Sequence, residues 1–236
     1  MPDRYPSMTK LYEDPSNVEG KTYGKRWRRH EWIQLVEAQA SDNPEGQKIV
    51  LAVHGGGIEG GTSEIALAVA GYHPATFARA TDCYGSHDFW IFEGLLGSGN
   101  SKLHVTSTNY DDPIALKLVQ ISKRCISLHG LADDAADKKI HIGGRDSVLR
   151  NIVLEELTAA GIAAETATDP ATNASDAANI CNKTTIGAGV QLEMGKTYRA
   201  SLFAPGCNTR DLRKNNTNAE FCKLVTALRR ALSRVY

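Results

Sequence analysis

Apolar residues run unbroken from Ile49 to Val53 and then give way to Gly55-Gly56-Gly57. A short continuous apolar run bounded by glycines predicts a strand buried on both faces of an α/β sheet. Gly60-Gly61-Thr62-Ser63 closes the following loop, with Thr62 or Ser63 as the N-cap of a helix that carries Glu64 in its first turn. The alternation of strand and helix continues. The aromatic-rich run His87 to Glu93 predicts a strand ahead of the glycine turn Gly94 to Gly99, and Leu103 to Thr108 is a further β-prone run. Asp111-Asp112-Pro113 opens a helix through Ser122, with Pro113 in its first turn. Strands follow over Arg124 to Gly130, Lys139 to Ile142 and Val190 to Met194. A helix over Val148 to Ala160 is ended by Gly161. Phe221, Leu224, Val225, Leu228 and Leu232 mark an amphipathic closing helix with arginines outward. Nearer the start, the alternation of Trp32, Gln34 and Val36 with Ile33 and Leu35 predicts a strand, followed by a polar turn from Ser41 to Gln47. Residues 1–21, broken by Pro2, Pro6 and Pro15, read as a poorly ordered lead-in, and residues 22–236 as a single α/β domain.

Composition narrows the function classes. Twenty-seven basic residues balance twenty-seven acidic ones, so no global field draws the chain to nucleic acid or to an anionic membrane. The five cysteines are odd in number and form no Cys-x-x-Cys pair, which predicts reduced thiols. No apolar signal core precedes the domain and no run reaches the roughly 20 apolar residues of a membrane span, so the expectation is a soluble product of cytoplasmic synthesis. Its oligomeric state is open, with a monomer favoured.

The candidate chemistry lies at strand ends. His54 closes the Ile49–Val53 run at the carboxyl edge, where the loops of an open α/β sheet converge on ligands. A five-residue offset separates His54 from Glu59 by about 140° on a helix and sends them to opposite faces of a strand. Only a loop that doubles back through glycines of permissive φ brings imidazole and carboxylate to one ion. His129-Gly130 repeats the design of a strand ending in histidine and glycine, and two such strands side by side would assemble a His, Glu, His zinc site. Gln191 and Glu193 share one face of their strand, so Glu193 is aimed rather than merely exposed. His87 and Glu93 are weak candidates, His104 reads as structural, and Arg26 to His30 reads as solvated charge. Two rivals for the glycine loop fail. An esterase oxyanion motif needs a Gly-x-Ser-x-Gly elbow that is missing, and a phosphate loop needs a lysine where Glu64 stands.

HGGGIEGGTSEIA, LHVTSTNYDDP, SLHG, a Gly-Gly turn after a strand, NICN and GAGVQLEMG occur in that order. Together they resemble the poly-γ-glutamate hydrolases, phage and bacterial enzymes similar to zinc carboxypeptidases, from about Tyr23 to Arg234. The resemblance implies a three-layer fold whose mixed, mostly parallel sheet carries helices on both faces. It also implies one Zn²⁺ per chain on His54, Glu59 and His129, with Glu193 as general base for amide hydrolysis by a zinc-activated water. The chain departs from the family at Asn109, where a histidine follows the TST stretch, and at Arg145, where an apolar residue is common. A glutamyl polymer or peptide tail bears free carboxylates, so Arg145, Lys183 and Arg199, with Asn179 and Asn182 of the NICN turn, are the candidate substrate contacts. The alternatives are a carboxypeptidase acting on peptide C-termini and a non-catalytic metal protein that grips acidic ligands. Release by phage lysis is the route to an extracellular polymer that the resemblance suggests.

Overall fold

The computed structural model describes residues 3–30, 48–132 and 139–235. Its centre is β2 (Lys48–Gly56), buried along its whole length as the unbroken apolar run predicts. Parallel neighbours flank it, β3 (Asp88–Gly94) on one side and β4 (Arg124–Leu131) on the other. β7 (Val190–Gly195) extends the parallel set beside β4, with His129 opposite Glu193. Antiparallel β1 (Tyr23–Arg28) lies against β3, while β5 (Ile140–Gly143) runs against β7 and pairs in parallel with β6 (Ala164–Thr166). The seven strands follow the order β1-β3-β2-β4-β7-β5-β6. Consequently β2, β4 and β7 bring their carboxyl ends to one sheet edge.

Two apolar layers cover the sheet. On one face α2 (Thr62–Val69), α4 (Ser147–Ala159) and α7 (Ala219–Ser233) pack against Val50, Ala52, Ile126 and Leu128. On the other, α1 (Met8–Glu13) and α3 (Pro113–Gln120) close over Ile49, Leu51, Val53 and Trp90. Helices on both sides of a mixed sheet give the expected three-layer arrangement. No helix among the described residues is long and apolar enough to cross a membrane.

Several local expectations are corrected. Residues 3–21 are not a loose lead-in: Ser7 caps α1, and Met8 and Leu11, one helical turn apart, are completely buried. Leu103 to Thr108 is not a strand. Two 3₁₀ turns, Asn100–Leu103 and Ser107–Asn109, replace it and curl the segment over the sheet edge. Gly61, in the left-handed region at φ 103°, takes the N-cap position of α2, because the hydroxyls of Thr62 and Ser63 are used to close the loop before it. Arg229 of the closing helix turns inward and binds Asp82 at 2.6 Å. The strand expected over 32–36 and the turn over 41–47 lie outside the described residues.

Of the weak site candidates, Glu93 pairs with Arg26 at 2.7 Å. His87 precedes β3 at the opposite, amino-terminal edge, buried and with no hydrogen-bond partner among the described residues for either ring nitrogen. Burial, reinforced by the charge of Lys48, pushes its imidazole down to about 3.

Two measurements test this packing. Leu11→Ala should cost about 2–5 kcal/mol in equilibrium unfolding, the usual range for a buried leucine; a cost near zero would return the segment to a loose lead-in. The unfolded chain takes up a proton on His87 near 6.5, which the folded chain refuses until about 3. Stability from this group is therefore complete above the unfolded value and is lost as pH falls through that window. His87→Leu should reduce the drop in Tm between about pH 7 and pH 5. An unchanged drop would assign the acid sensitivity to another group.

Candidate metal centre

β2 ends in His54 and the chain turns back at once. Glu59 N donates to the His54 carbonyl at 2.8 Å and Ile58 N to that of Gly55 at 3.2 Å. Between Ala52 and Gly55, β2 carries one residue more than β3, a bulge of the kind that re-aims side chains beside active sites. Of the three expected positive-φ glycines only Gly56 is one, at φ 65°. Gly55 and Gly57 are needed for space, because a Cβ would strike Ser63 and the Phe92 carbonyl at the first and Asn100 at the second. Ser63 Oγ accepts from Gly56 N at 2.8 Å, and Thr62 Oγ1 donates to the Glu59 carbonyl at 2.9 Å. Arg213 of α6 (Arg210–Arg213) clamps the loop from outside, donating to Gly56 O at 2.8 Å and pairing with Glu64 at 3.1 Å.

The loop delivers Glu59 into a cluster of histidines. His54 Nε2 lies 2.8 Å from the Val105 carbonyl, so it must carry the proton there. A neutral His54 therefore turns the lone pair of Nδ1 toward Glu59 Oε1 at 3.0 Å. Two acceptors at that distance require a cation between them. Burial works most strongly to lower the His54 pKa, yet the charge and hydrogen bond of Glu59, the Val105 carbonyl and the charge of Glu193 together raise it, so this position favours positive charge. His129 has Nε2 2.9 Å from Ser127 Oγ and leaves Nδ1 facing Glu59 Oε2 at 3.9 Å. The same Oε2 accepts from Gly130 N at 2.8 Å. Burial alone would raise the Glu59 pKa, but the charge of His54 and hydrogen bonds from His54 and Gly130 hold it near 2. Burial pushes His129 the other way, to about 3, so its ring stays neutral and available as a ligand. One anionic oxygen donor and neutral imidazoles fit a zinc ion.

His104 enters this cluster, contrary to the structural role read from its run. Its ring stacks on that of His54 with centroids 3.9 Å apart and planes inclined by 29°. His54, Glu59 and His104 each place a ligand atom within 4.8 Å of the others. Distance groups these three, but ring geometry favours another set. Imidazole lone pairs lie in the ring plane, and two nearly parallel stacked rings cannot both aim in-plane at an ion about 2 Å away. The rings of His54 and His129, inclined at 76° with centroids 5.0 Å apart, can. Polar turn-formers from Ser98 to Asn100 and from Ser107 to Asn109 were the signal that this stretch curls rather than extends.

Glu193 stands beside the cluster, 7% exposed. Gln191 Nε2 donates to its Oε1 at 2.8 Å, and Asn179 Nδ2 in turn donates to Gln191 Oε1 at 2.9 Å. This relay fixes the amide so that its NH₂ faces the carboxylate. Burial and then the like charge of Glu59 raise the Glu193 pKa to about 8.

A cavity of about 500 Å³ opens over these groups, lined by His54, Glu59, His104, His129, Asn179 and Glu193 among others. The other expected substrate contacts do not line it. Arg145 is exposed beyond the end of β5, which runs opposite to β7 and carries it toward the far sheet edge. Lys183 is half-buried behind the turn that holds Asn179. Asn182 is consumed by backbone: it accepts from Arg145 N and Gly189 N and donates to the carbonyls of Ala174 and Asp176. Arg199 of α5 (Lys196–Ser201) is buried, donates to the carbonyls of Gly60, Leu131 and Met194, and lies so close to Gly130 that a Cβ there would displace its guanidinium. Among the described residues, no lysine or arginine lines this cavity. An adjoining cavity of about 780 Å³ shares Glu59, Gly130 and Leu131 with it and is lined by Lys196, Arg199, Arg210 and Arg213.

Residues 35–227 match the family model described as poly-gamma-glutamate hydrolase. UPF0714 protein YndL of Bacillus subtilis (strain 168) is 40% identical over 156 residues, which are 66% of this chain and 56% of the relative. The match thus spans little more than half of that relative's length. A solved bacteriophage poly-gamma-glutamate hydrolase superposes with a TM-score of 0.80 at 32% identity, covering 98% of this chain and 96% of the other. The zinc-free apo form of YndL superposes with a TM-score of 0.79 at 33% identity, covering 100% of each.

Proposed function

Because this chain belongs to the poly-gamma-glutamate hydrolase family, we propose that it is a zinc-dependent amidohydrolase that cuts γ-glutamyl amide bonds of poly-γ-glutamate. The observation that carries this reading is the meeting of acceptors: the Nδ1 atoms of His54 and His129 both face the ionised Glu59 carboxylate, 3.0 and 3.9 Å away. His54, Glu59 and His129 would hold the ion, and the description of apo YndL as zinc-free supports zinc. When bound, zinc lowers the pKa of a coordinated water toward about 7 and polarises the scissile carbonyl. Glu193 takes the proton of the attacking water and returns it to the departing amine, held in place by the Gln191–Asn179 relay. Its raised pKa makes the ionised form a stronger base than a solvated carboxylate.

Cation placement supports an acidic substrate that extends beyond the metal centre. A γ-linked chain and a peptide C-terminus both set an α-carboxylate beside the scissile amide, and among the described residues no lysine or arginine lines the cavity over the metal centre to meet it. A polymer extends further, and its carboxylates can meet Lys196 and Arg210 in the adjoining basic cavity.

Elemental analysis should find one zinc per chain, lost in His54→Ala and His129→Ala. Zinc retained at full occupancy in both would sink the ligand assignment. Glu193→Gln should keep the metal and the fold while turnover falls about 10²-fold or more, and zinc loss in that variant would make Glu193 a ligand. The zinc-loaded protein should shorten poly-γ-glutamate, with the activity removed by chelator and restored by zinc. Cleavage of carboxypeptidase peptides alone would move the assignment there, and zinc binding without turnover of either substrate would favour a binding protein.

A further inference from the structure

The amino-terminal segment reaches the metal centre through one carboxylate. Asp3 Oδ1 accepts from His104 Nδ1 at 2.7 Å, and Asp3 Oδ2 accepts from Thr106 N at 2.6 Å. The residue bracketed by these two bonds is Val105, whose carbonyl receives the His54 Nε2 proton. His104, on one side of it, supplies the ring that lies against the face of His54. Asp3 therefore ties down both elements that orient His54.

We propose that Asp3 and His104 are positioning residues for the metal centre, holding the His54 imidazole in the plane in which its Nδ1 can meet an ion. The proposal rests on the zinc reading above. A single hydrogen bond to Val105 leaves the His54 ring able to tilt about the line of that bond, and the stacked ring of His104 blocks the tilt. The His104 side chain is itself 34% exposed and follows a 3₁₀ turn, so without a partner it would sample other rotamers. Asp3 removes that freedom. The 29° inclination of the stacked rings makes His104 a support for the ligand rather than a ligand itself. Asp3 in turn is placed by α1, through buried Met8 and Leu11, by Thr9 N donating to Asp111 at 2.9 Å and by Tyr12 Oη donating to Asp112 at 2.7 Å. Carboxylates and rings that orient a ligating histidine in this way commonly contribute about 10- to 100-fold to metal affinity.

The test measures zinc affinity by chelator competition and ligand geometry by the absorption spectrum of the cobalt-substituted protein. Asp3→Ala, Asp3→Asn and His104→Ala should each bind zinc about 10- to 100-fold more weakly. The Asp3→Ala/His104→Ala double variant should be no weaker than the worse single one, because both act through His54. Asp111→Ala removes the acceptor for Thr9 N without touching His104, and because it loosens the segment that places Asp3 but leaves the Asp3 carboxylate in the chain it should weaken zinc binding less than Asp3→Ala does. If the wild type binds zinc and the Asp3 and His104 variants match it in affinity and spectrum, the positioning pair is refuted while the zinc reading stands. A loss in Asp111→Ala greater than that in Asp3→Ala would also refute it, since docking of the segment rather than the Asp3 carboxylate would then set the affinity. A His104→Ala spectrum lacking one nitrogen ligand would make His104 a ligand and overturn the positioning role. A wild type that binds no zinc would defeat the zinc reading itself.

Discussion

Everything at the carboxyl edge of the sheet is arranged around one partly buried anion, the Glu59 carboxylate. A carboxylate removed from water is costly unless each oxygen is met by donors or positive charge. Here Oε2 receives Gly130 N while Oε1 confronts His54 Nδ1. The first contact comes from β4 and the second from β2, so the anion joins two neighbouring parallel strands at their ends. Because His54 has already given its Nε2 proton to Val105, the remaining demand for positive charge falls on the space between Nδ1 and Oε1. A cation shared by these two atoms would meet that demand, and His129 Nδ1 lies 3.9 Å from the other oxygen of the same carboxylate.

Holding such a cluster requires a stiff surround, and the chain spends its arginines on that task. Arg213 clamps Gly56 O, and Arg199 gathers the carbonyls of Gly60, Leu131 and Met194 beneath the two histidine-bearing strands. Carbonyls at strand ends and in tight loops have no ladder partner, so a buried guanidinium with five donors satisfies several at once. These bonds occupy the Arg199 guanidinium. Its charge lies behind Gly130, where it lowers the proton affinity of His129 but does not face the cavity.

The parts of the centre that lie within a single local pattern were legible in the sequence. The run from Ile49 to Val53, the glycines after it and the His-Gly ending of β4 each announced a strand terminus, and the parity of Gln191 and Glu193 put both on one face. What escaped depends on pairing direction or on long-range contact. Arg145 follows a strand whose antiparallel pairing no local pattern reveals, and that direction alone carries it away from the site. Asp3 and His104 meet across a hundred residues of chain, and each was discounted from its neighbourhood: prolines around the first, a β-prone composition around the second. The signals that could have corrected both were short-range and weak, namely the Ser7 cap with Met8 and Leu11 one turn apart, and the serines, threonines and asparagines that interrupt the 98–109 stretch. Asn182 misled differently. Its amide looked available in sequence but is filled by two backbone donors and two carbonyls.

Glu59 and Glu193 show how one site divides labour between identical functional groups. Both carboxylates lose most of their water, and that loss raises both pKa values; the outcome is nevertheless about 2 for Glu59 and about 8 for Glu193. The difference lies in what each faces. Glu59 has the charge of His54 and two hydrogen-bond donors, whereas Glu193 has one neutral amide donor and the negative charge of Glu59 itself. Part of the proton affinity of Glu193 is thus created by the ionisation of Glu59, so the two cannot exchange roles. A carboxylate held near 2 stays anionic and can help bind a cation, while one raised to about 8 binds a proton readily. A metal between the histidines would offset some of the repulsion from Glu59 and leave Glu193 ionised yet close to a proton source. That is the condition the proposed general base requires.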